Sequence, residues 1–191
     1  MTMADKVTAV RLILAPFFFL VFFLPDWLPI GPEWTAFVLW FIFIVSEITD
    51  LIDGKIARSR NEVSDFGKLF DPFADTLVRI TYFLCFVVEG ILPAFLFAIV
   101  LYREFGILFL RTLMMRRGIA MGARSGGKIK AVMYMVTGVV ALLAVSVQRL
   151  GFDSMIFRIL KWTSIGIFSI AVVLAVTSFV DYLRVFKNSS K

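Results

Sequence analysis

The sequence lacks several residue types on which many enzyme sites depend. Its 191 residues include no histidine and a single cysteine, Cys85. One cysteine excludes a disulfide or a cysteine-based metal site within the chain. Without histidine, any proton transfer must use a carboxylate, a lysine, a tyrosine or water. Charged residues are also scarce, at 18% of the chain, which is low for a soluble domain.

Apolar residues are abundant instead. They make up 60% of the chain, with 22 phenylalanines, and the mean hydropathy is +0.92. A membrane-spanning helix needs about 20 mostly apolar residues, and six such stretches occur. We therefore predict an all-α integral membrane protein, one domain over residues 1–191, with six transmembrane helices in one bundle. The predicted spans are 7–24, 34–57, 67–88, 92–115, 129–147 and 159–182.

The basic residues are distributed unevenly between the two predicted sides of the membrane. Fourteen Lys and Arg fall on the side of the termini and three on the other side, which predicts cytoplasmic termini by the positive-inside rule. The three exceptions, Arg149, Arg158 and Lys161, predict an interfacial helix in the fifth gap. The net charge of +6 suits contact with membrane lipids or phosphate-bearing substrates. No nucleic-acid partner is predicted.

Carboxylates concentrate in the stretch TDLIDGKIARSRNEVSDFGKLFDPFAD, residues 49–75. Asp50 and Asp53 are three residues apart, so they share one face of the second helix. Gly67, Asp71 and Asp75 step by four and form one stripe of the third helix. A short charged link joins these helices. We therefore predict antiparallel neighbours whose facing stripes bring four carboxylates together.

The predicted depth of this acidic cluster requires an explanation. Asp50 lies about 24 Å along the helix from Trp34, inside or at the edge of the hydrocarbon core. Two carboxylates about 5 Å apart repel by roughly 3 kcal/mol at an effective dielectric constant of 20. Protonation or bound divalent metal would relieve this repulsion, and oxygen ligands favour Mg²⁺ or Mn²⁺. Two such ions would suit a diphosphate substrate. The alternative is a set of paired surface carboxylates at helix ends.

The acids, two glycines, an alanine and an arginine of this stretch stand at fixed spacing: Asp50-x2-Asp53-Gly54-x2-Ala57-Arg58-x8-Gly67-x3-Asp71-x3-Asp75. This pattern resembles the signature of the CDP-alcohol phosphatidyltransferase family at all eight positions. The resemblance implies a six-helix membrane bundle, often a homodimer. It also implies transfer of a phosphatidyl group, or a related substituted phosphate, from a CDP-linked donor to an alcohol, with release of CMP.

The resemblance assigns roles to the four aspartates. Asp50, Asp53 and Asp71 are implied to be metal ligands, for two ions of Mg²⁺ or Mn²⁺. Asp75 is implied to be the fourth acid beside the metal and the general base.

The smaller residues of the signature are implied to bind the CDP group. Gly54 and Ala57 would allow close approach of the cytidine. Arg58 would stabilise the diphosphate or brace the acids. Gly67 would let the two helices approach closely.

Three further segments, DKVTAVRLILAPFF, LYREFGILFLR and GGKIKAVMYM, resemble the bacterial branch of the family that joins CDP-diacylglycerol to glycerol 3-phosphate. A dianionic acceptor needs fixed cations, and arginine offers bidentate contacts. Arg111 lies within an apolar stretch, and Lys128 and Lys130 match the Gly-Lys-x-Lys pattern of that branch. These three residues are the predicted acceptor-phosphate site, with plain positive-inside charge as the alternative.

Three other charged residues, Arg79, Arg103 and Glu104, lie within the predicted spans. Arg79, one turn after Asp75, is either its salt-bridge partner or a residue that tunes it. Arg103 and Glu104 are adjacent and are predicted to face different ways. Glu104 lies two turns before Arg111 on the same face, so it is predicted to orient Arg111.

Other functions remain compatible with the sequence. Relatives of the same family use inositol phosphate, serine, choline or phosphatidylglycerol as acceptor, and the aspartate motif does not separate them. A cation or proton transporter could use the intramembrane acids as a relay, and a purely structural membrane protein is a third class. The resemblance and the charge bias predict a bacterial inner-membrane enzyme whose active site faces the cytoplasm.

Overall fold

The computed structural model describes residues 3–60, 67–116 and 125–188, with side chains at 8–50, 67, 70–116 and 129–187. All regular structure within these ranges is α-helical, which confirms the predicted fold class. The helices are α1 Met3–Trp27, α2 Pro32–Arg60, α3 Gly67–Val88, α4 Ala94–Arg116, α5 Ser125–Arg149 and α6 Ser154–Asn188.

Four helices in the described part of the chain are long and apolar enough to cross a membrane. The candidate spans are Thr8–Trp27, Pro32–Asp50, Ile129–Arg149 and Ser154–Lys187, in α1, α2, α5 and α6. These spans fit an integral membrane protein. Helices α3 and α4 carry the charged residues discussed below, which lower their hydropathy. Six transmembrane spans and cytoplasmic termini therefore stay predictions.

Two short connections at one end of the bundle close with the same backbone motif. Gly90 and Gly151 adopt left-handed backbone conformations, with φ of 75° and 70°. The amides of the residues that follow them, Ile91 and Phe152, donate to the carbonyls of Phe86 and Val147 at 2.9 and 3.0 Å. This pattern is the Schellman motif, which favours glycine because its positive φ is strained for other residues.

The connection between α5 and α6 differs from the prediction of an interfacial helix. Residues 150–153 form a short turn, and α6 begins at Ser154. The carboxylate of Asp153 caps its first turn by accepting the amide of Met155 at 2.8 Å. Arg158 and Lys161 therefore lie within the first turns of α6 rather than in a separate helix.

The centre of the bundle is built around two adjacent aromatic residues of α3. Tyr82 packs against Phe18 of α1 and Phe43 of α2, with ring centroids 4.4 and 5.2 Å apart. Phe83 packs on the other side against Tyr134 of α5 and Phe168 of α6, at 5.3 and 4.8 Å. Phe43 and Tyr82 give α2 and α3 a side-chain contact, whereas both helices pack mainly against α1, so the predicted facing of their acidic stripes stays a prediction. Helix α3 is thus held from both sides, and its acids lie two to three turns earlier.

Helices α2 and α5 approach closely along their middle turns. A Cβ atom on Gly138 would lie 2.8 Å from the ring of Phe43, which is buried, so α5 needs a glycine at that contact. Two turns further along α5, the indole Nε1 of Trp40 donates to Ser146 Oγ at 3.0 Å. This neutral hydrogen bond links the two helices within the apolar part of the bundle.

Candidate active site

A cavity of about 280 Å³ lies among α2, α3, α4, α5 and α6. Asp50, Asp75 and Arg79 line it from α2 and α3, which we call the acidic side. Arg103, Glu104, Arg111 and Lys130 line it from α4 and α5, which we call the cationic side. The structure therefore brings two of the predicted metal-binding acids and two of the predicted phosphate-binding cations to one cavity.

Arg79 joins the acids of α2 and α3. Its Nη2 lies 2.7 Å from Asp75 Oδ1 and 3.9 Å from Asp50 Oδ2. The guanidinium also stacks over the ring of Tyr134, 5.9 Å from the ring centroid. Of the two alternatives left open by the sequence, the structure confirms the salt bridge to Asp75. The contact orients one carboxylate oxygen and leaves Oδ2 of Asp75 without an ion pair among the described residues.

Helix α1 contributes two contacts to the acids that the sequence analysis missed. Arg11 forms an ion pair with Asp50, and Thr8 donates a hydrogen bond to Asp71. Thr8 and Arg11 are both buried. A signal was present, because the two residues are three apart on one helical face at the start of an apolar run. Arg11 is one of the fourteen basic residues predicted on the side of the termini.

The acids of the third helix do not all take part in the cavity. Asp75 lines it, whereas Asp71 accepts the hydrogen bond from Thr8 and is absent from the described lining. Gly67 begins α3 and is buried. Thr76, Ser178 and Tyr182 line the cavity as well, although no motif in the sequence points to them.

Several predicted site residues lie outside the described side chains. Their backbone belongs to α2 or α5. Both helices are longer than the predicted spans 34–57 and 129–147, so they also include Arg58 and Lys128. Their roles in binding metal, CDP or acceptor phosphate stay predictions. These residues are Asp53, Gly54, Ala57, Arg58 and Lys128.

The donor chemistry of the acids decides which metal they suit. Asp50, Asp71 and Asp75 offer only carboxylate oxygens, which fit Mg²⁺ or Mn²⁺ better than zinc or copper. Within the described side chains, which exclude Asp53, no three acids or other ligating residues converge closely enough to hold one ion. A cation at Asp50 would also compete with the guanidiniums of Arg11 and Arg79. The carboxylate ligands fit a hard divalent ion by type, but the described side chains alone do not form a complete site for one.

The cationic side contains two residues in different surroundings. Lys130 Nζ lies 2.8 Å from Glu104 Oε1. Arg111 has no ion pair in the described part of the chain, and its buried Nε has no hydrogen-bond partner there. A buried guanidinium nitrogen without a partner is costly. An anionic ligand in the cavity would satisfy it.

The structure corrects two predictions about Glu104. The adjacent Arg103 does not face away, because its flexible side chain folds back and Nη1 donates to both Glu104 oxygens at 2.9 Å. Glu104 also does not contact Arg111. Its partners across the helix interface are Lys130 and Tyr134 of α5, because its carboxylate points toward α5 rather than along α4.

Another ion pair lies at the far end of the bundle. Arg149 Nη2 is 2.8 Å from Glu89 Oε2, and Nη1 donates to the backbone carbonyl of Phe22 at 3.0 Å. The Phe22 ring lies 4.3 Å from the guanidinium carbon. Glu89 is about 21 Å along the helix axis from Asp75. We call Arg149, Glu89 and Phe22 the far-end clamp.

The family described as CDP-alcohol phosphatidyltransferase matches residues 1–177, which include the whole acidic stretch. The chain belongs to the CDP-alcohol phosphatidyltransferase family. This confirms the resemblance of the aspartate signature. As a member of that family the chain is an enzyme, a phosphatidyltransferase.

Curated relatives of this phosphatidyltransferase share a common name. The chain is 36% identical to a Treponema pallidum protein named CDP-diacylglycerol–glycerol-3-phosphate 3-phosphatidyltransferase, over 97% of this chain and 89% of the relative. A Bacillus subtilis protein of the same name is 31% identical over 80% of each chain. An Escherichia coli protein of that name is 42% identical over 37% of this chain and 36% of its own.

Proposed function

We propose that the chain transfers the phosphatidyl group of CDP-diacylglycerol to sn-glycerol 3-phosphate, giving phosphatidylglycerol phosphate and CMP. The relatives' shared name agrees with this reaction. The observation that carries the proposal is the shared cavity of Asp75, Arg111 and Lys130. A base for the acceptor hydroxyl and cations for the acceptor phosphate are required in one cavity, and the described residues supply both.

The acidic side of the cavity is the proposed donor and metal site. Asp50, Asp53, Asp71 and Asp75 would hold one or two Mg²⁺ or Mn²⁺ ions. Such ions, when bound, would neutralise charge on the donor diphosphate and on the departing CMP. The CDP group would lie against α2, as the signature residues Gly54, Ala57, Arg58 and Gly67 imply.

The cationic side is the proposed acceptor site. Arg111 would bind the phosphate of glycerol 3-phosphate through the fork of its guanidinium. Lys130 would add a second positive charge, and Lys128 is proposed to act with it. An acceptor without a phosphate would leave these cations unsatisfied in the cavity, which disfavours serine and choline.

Asp75 is the proposed general base. Arg79 fixes its Oδ1, so Oδ2 is available to accept the proton of the acceptor 1-hydroxyl. The resulting alkoxide attacks the β-phosphorus, which carries the diacylglycerol. A new phosphorus–oxygen bond forms, and the bond from that phosphorus to the bridging oxygen breaks. CMP leaves with the bridging oxygen, and the proton passes from Asp75 to solvent or product.

The proposed location is the bacterial cytoplasmic membrane, with the cavity open to the cytoplasm. Both the start of α1 and the last turns of α6 lie at the cavity end, since Thr8 contacts Asp71 and Tyr182 lines the cavity. The excess of Lys and Arg on that side supports a cytoplasmic orientation. A lipid donor and a water-soluble acceptor would meet there. A homodimer stays a prediction.

The decisive experiment is an acceptor screen with the purified chain in lipid nanodiscs. CMP release and lipid product would be measured with CDP-diacylglycerol, Mg²⁺ or Mn²⁺ and one acceptor at a time. We expect product with glycerol 3-phosphate and a loss of activity when the divalent ions are chelated. The other acceptors to compare are inositol phosphate, serine, choline and phosphatidylglycerol.

Different outcomes separate the alternatives. Faster release of CMP with another acceptor would keep the family chemistry and overturn the proposed acceptor. Activity that survives complete chelation would overturn the role given to the acids as metal ligands. Ion flux into liposomes without any CMP release would favour the transporter.

A further inference from the structure

We propose that Glu104 is a positioning residue for the acceptor, acting through Lys130 to fix a positive charge on the cavity wall. The inference rests on the proposed function, because it assumes that the acceptor carries a phosphate. It gives a role to a buried acid that belongs to neither the aspartate signature nor the predicted phosphate-binding cations.

The first observation is the number of donors that converge on one carboxylate. Glu104 Oε1 accepts from Lys130 Nζ at 2.8 Å, from Arg103 Nη1 at 2.9 Å and from Tyr134 Oη at 3.3 Å. The Glu104 side chain is only 10% exposed. A buried carboxylate with several charge-assisted hydrogen bonds is held in one geometry.

The second observation is that Arg103 ties this carboxylate to a third helix. Arg103 Nε donates to the carbonyl of Ala175 at 3.0 Å, and Nη2 lies 3.4 Å from Ser178 Oγ in α6. Each donor group of Arg103 therefore has a protein partner, so Arg103 serves as an anchor rather than as a free cation. Glu104, a residue of α4, is consequently tied to α6 through Arg103 as well as to α5 through Lys130 and Tyr134.

The third observation concerns the donors that Lys130 keeps. An ammonium group has three N–H donors, and the contact with Glu104 uses one. The centroid of the Tyr134 ring lies 5.0 Å from Nζ, and the face of the ring stabilises the positive charge. Lys130 lines the cavity, so its remaining donors are available to a ligand. A lysine side chain is flexible, and Glu104 supplies the constraint that it lacks by itself.

Arg111 provides the contrast within the same cavity. It has no carboxylate partner among the described residues, so its contact with the acceptor does not depend on Glu104. The two cations can therefore be separated by mutation. Replacing Glu104 should weaken the contribution of Lys130 to acceptor binding and leave that of Arg111 in place.

The test is steady-state kinetics of Glu104→Gln, Lys130→Gln and the double variant in nanodiscs. Each single variant should raise the KM for glycerol 3-phosphate about tenfold, as expected for a lost hydrogen bond to a charged group. The kcat and the KM for CDP-diacylglycerol should stay near wild type, because the lost contact binds ground state and transition state alike. In the double variant the two effects should not multiply, since Glu104 acts through Lys130.

Glu89→Gln is the matched control, because it removes an acid from an ion pair of the same length, 2.8 Å, outside the cavity. It should lower stability without changing the KM for glycerol 3-phosphate. An unchanged acceptor KM in Glu104→Gln, or fully multiplicative effects in the double variant, would overturn the proposal. Should Glu104→Gln fail to fold, Glu104→Asp decides, because the shorter side chain keeps the charge but should raise the acceptor KM several-fold. An unchanged KM there would equally overturn it.

A failure of the proposed function would look different. The wild-type chain would then release no CMP with glycerol 3-phosphate, and no acceptor KM could be assigned to any variant. A normal wild-type rate together with an unchanged acceptor KM in Glu104→Gln would reject only the positioning role.

Discussion

The two ends of the bundle hold buried charges in contrasting ways. In the far-end clamp, one arginine meets one carboxylate, a backbone carbonyl and an aromatic face, so its charge is matched within the protein. At the cavity end, the described lining contains four cations and three acids, and the Nε of Arg111 has no partner among described residues. Charges that are matched within the protein stabilise the fold, whereas charged groups that lack a partner beside a cavity can bind a ligand. The lining charges are Arg79, Arg103, Arg111, Lys130, Asp50, Asp75 and Glu104.

The largest expected effect is the loss of turnover on replacing the proposed base. Asp75→Asn keeps the size of the side chain but cannot accept the acceptor proton, so kcat should fall about 10³-fold, in the range of general-base loss. Binding of CDP-diacylglycerol, followed by equilibrium binding in nanodiscs, should be largely retained. Full activity in this variant would rule out Asp75 as the base. Glu89→Gln, an acid replaced at the other end, should turn over normally.

The next largest effect is expected at Arg111, which has no ion pair among the described residues. Arg111→Gln should raise the KM for glycerol 3-phosphate about fiftyfold, because a charge-assisted bidentate contact with the acceptor phosphate is lost. The KM for CDP-diacylglycerol should change little. Arg149→Gln removes the same charge from the far-end clamp and should leave both constants near wild type. Equal KM changes in the two variants would contradict the assignment of Arg111 to the acceptor.

The far-end clamp should instead control stability. Glu89→Gln leaves Arg149 without its carboxylate in a partly buried setting, since the side chains are 13% and 18% exposed. The free energy of unfolding should fall by about 3 kcal/mol, near the lower values for breaking a buried pair, as measured by thermal unfolding in detergent. Asp181→Asn is the control, because its pair with Arg184 is long, at 3.5 Å, and exposed. That variant should change stability by less than about 0.5 kcal/mol.

The helices and the positions of the acids along them were predictable because local pattern determines them. The predicted convergence of four carboxylates stays a prediction, since Asp71 is absent from the described cavity lining and Asp53 lies outside the described side chains. Apolar stretches of spanning length placed all six helices, and the spacing of Asp71 and Asp75 placed their stripe on α3. Gly90 follows the end of α3, where the turn requires a positive φ. These features depend on residues close in sequence, which one chain reveals by its periodicity.

The partners of the charges were harder to predict because they join distant parts of the chain. Arg11 reaches Asp50 across 39 positions, and Lys130 reaches Glu104 across 26. Helical periodicity says which face a residue occupies, but not which helix packs against that face. The direction of a long side chain is equally open, as Arg103 shows by folding back onto its neighbour.

The smallest effect is expected at a neutral contact between helices, the hydrogen bond from Trp40 to Ser146. It is compared with the far-end clamp and with the charged residues of the cavity. Ser146→Ala removes the acceptor of the Trp40 indole, a bond of 3.0 Å between α2 and α5. Hydrogen bonds between helices in membrane proteins contribute about 0.6 kcal/mol on average, so thermal unfolding should shift only slightly and both KM values should stay unchanged. Adding Trp40→Phe to Ser146→Ala should cause no further loss of hydrogen bonding. Any further loss of stability should come only from the smaller side chain. If the loss of stability were as large as that expected for Glu89→Gln, a neutral contact would stabilise the bundle as much as a buried ion pair. The far-end clamp would then owe nothing special to its buried charge.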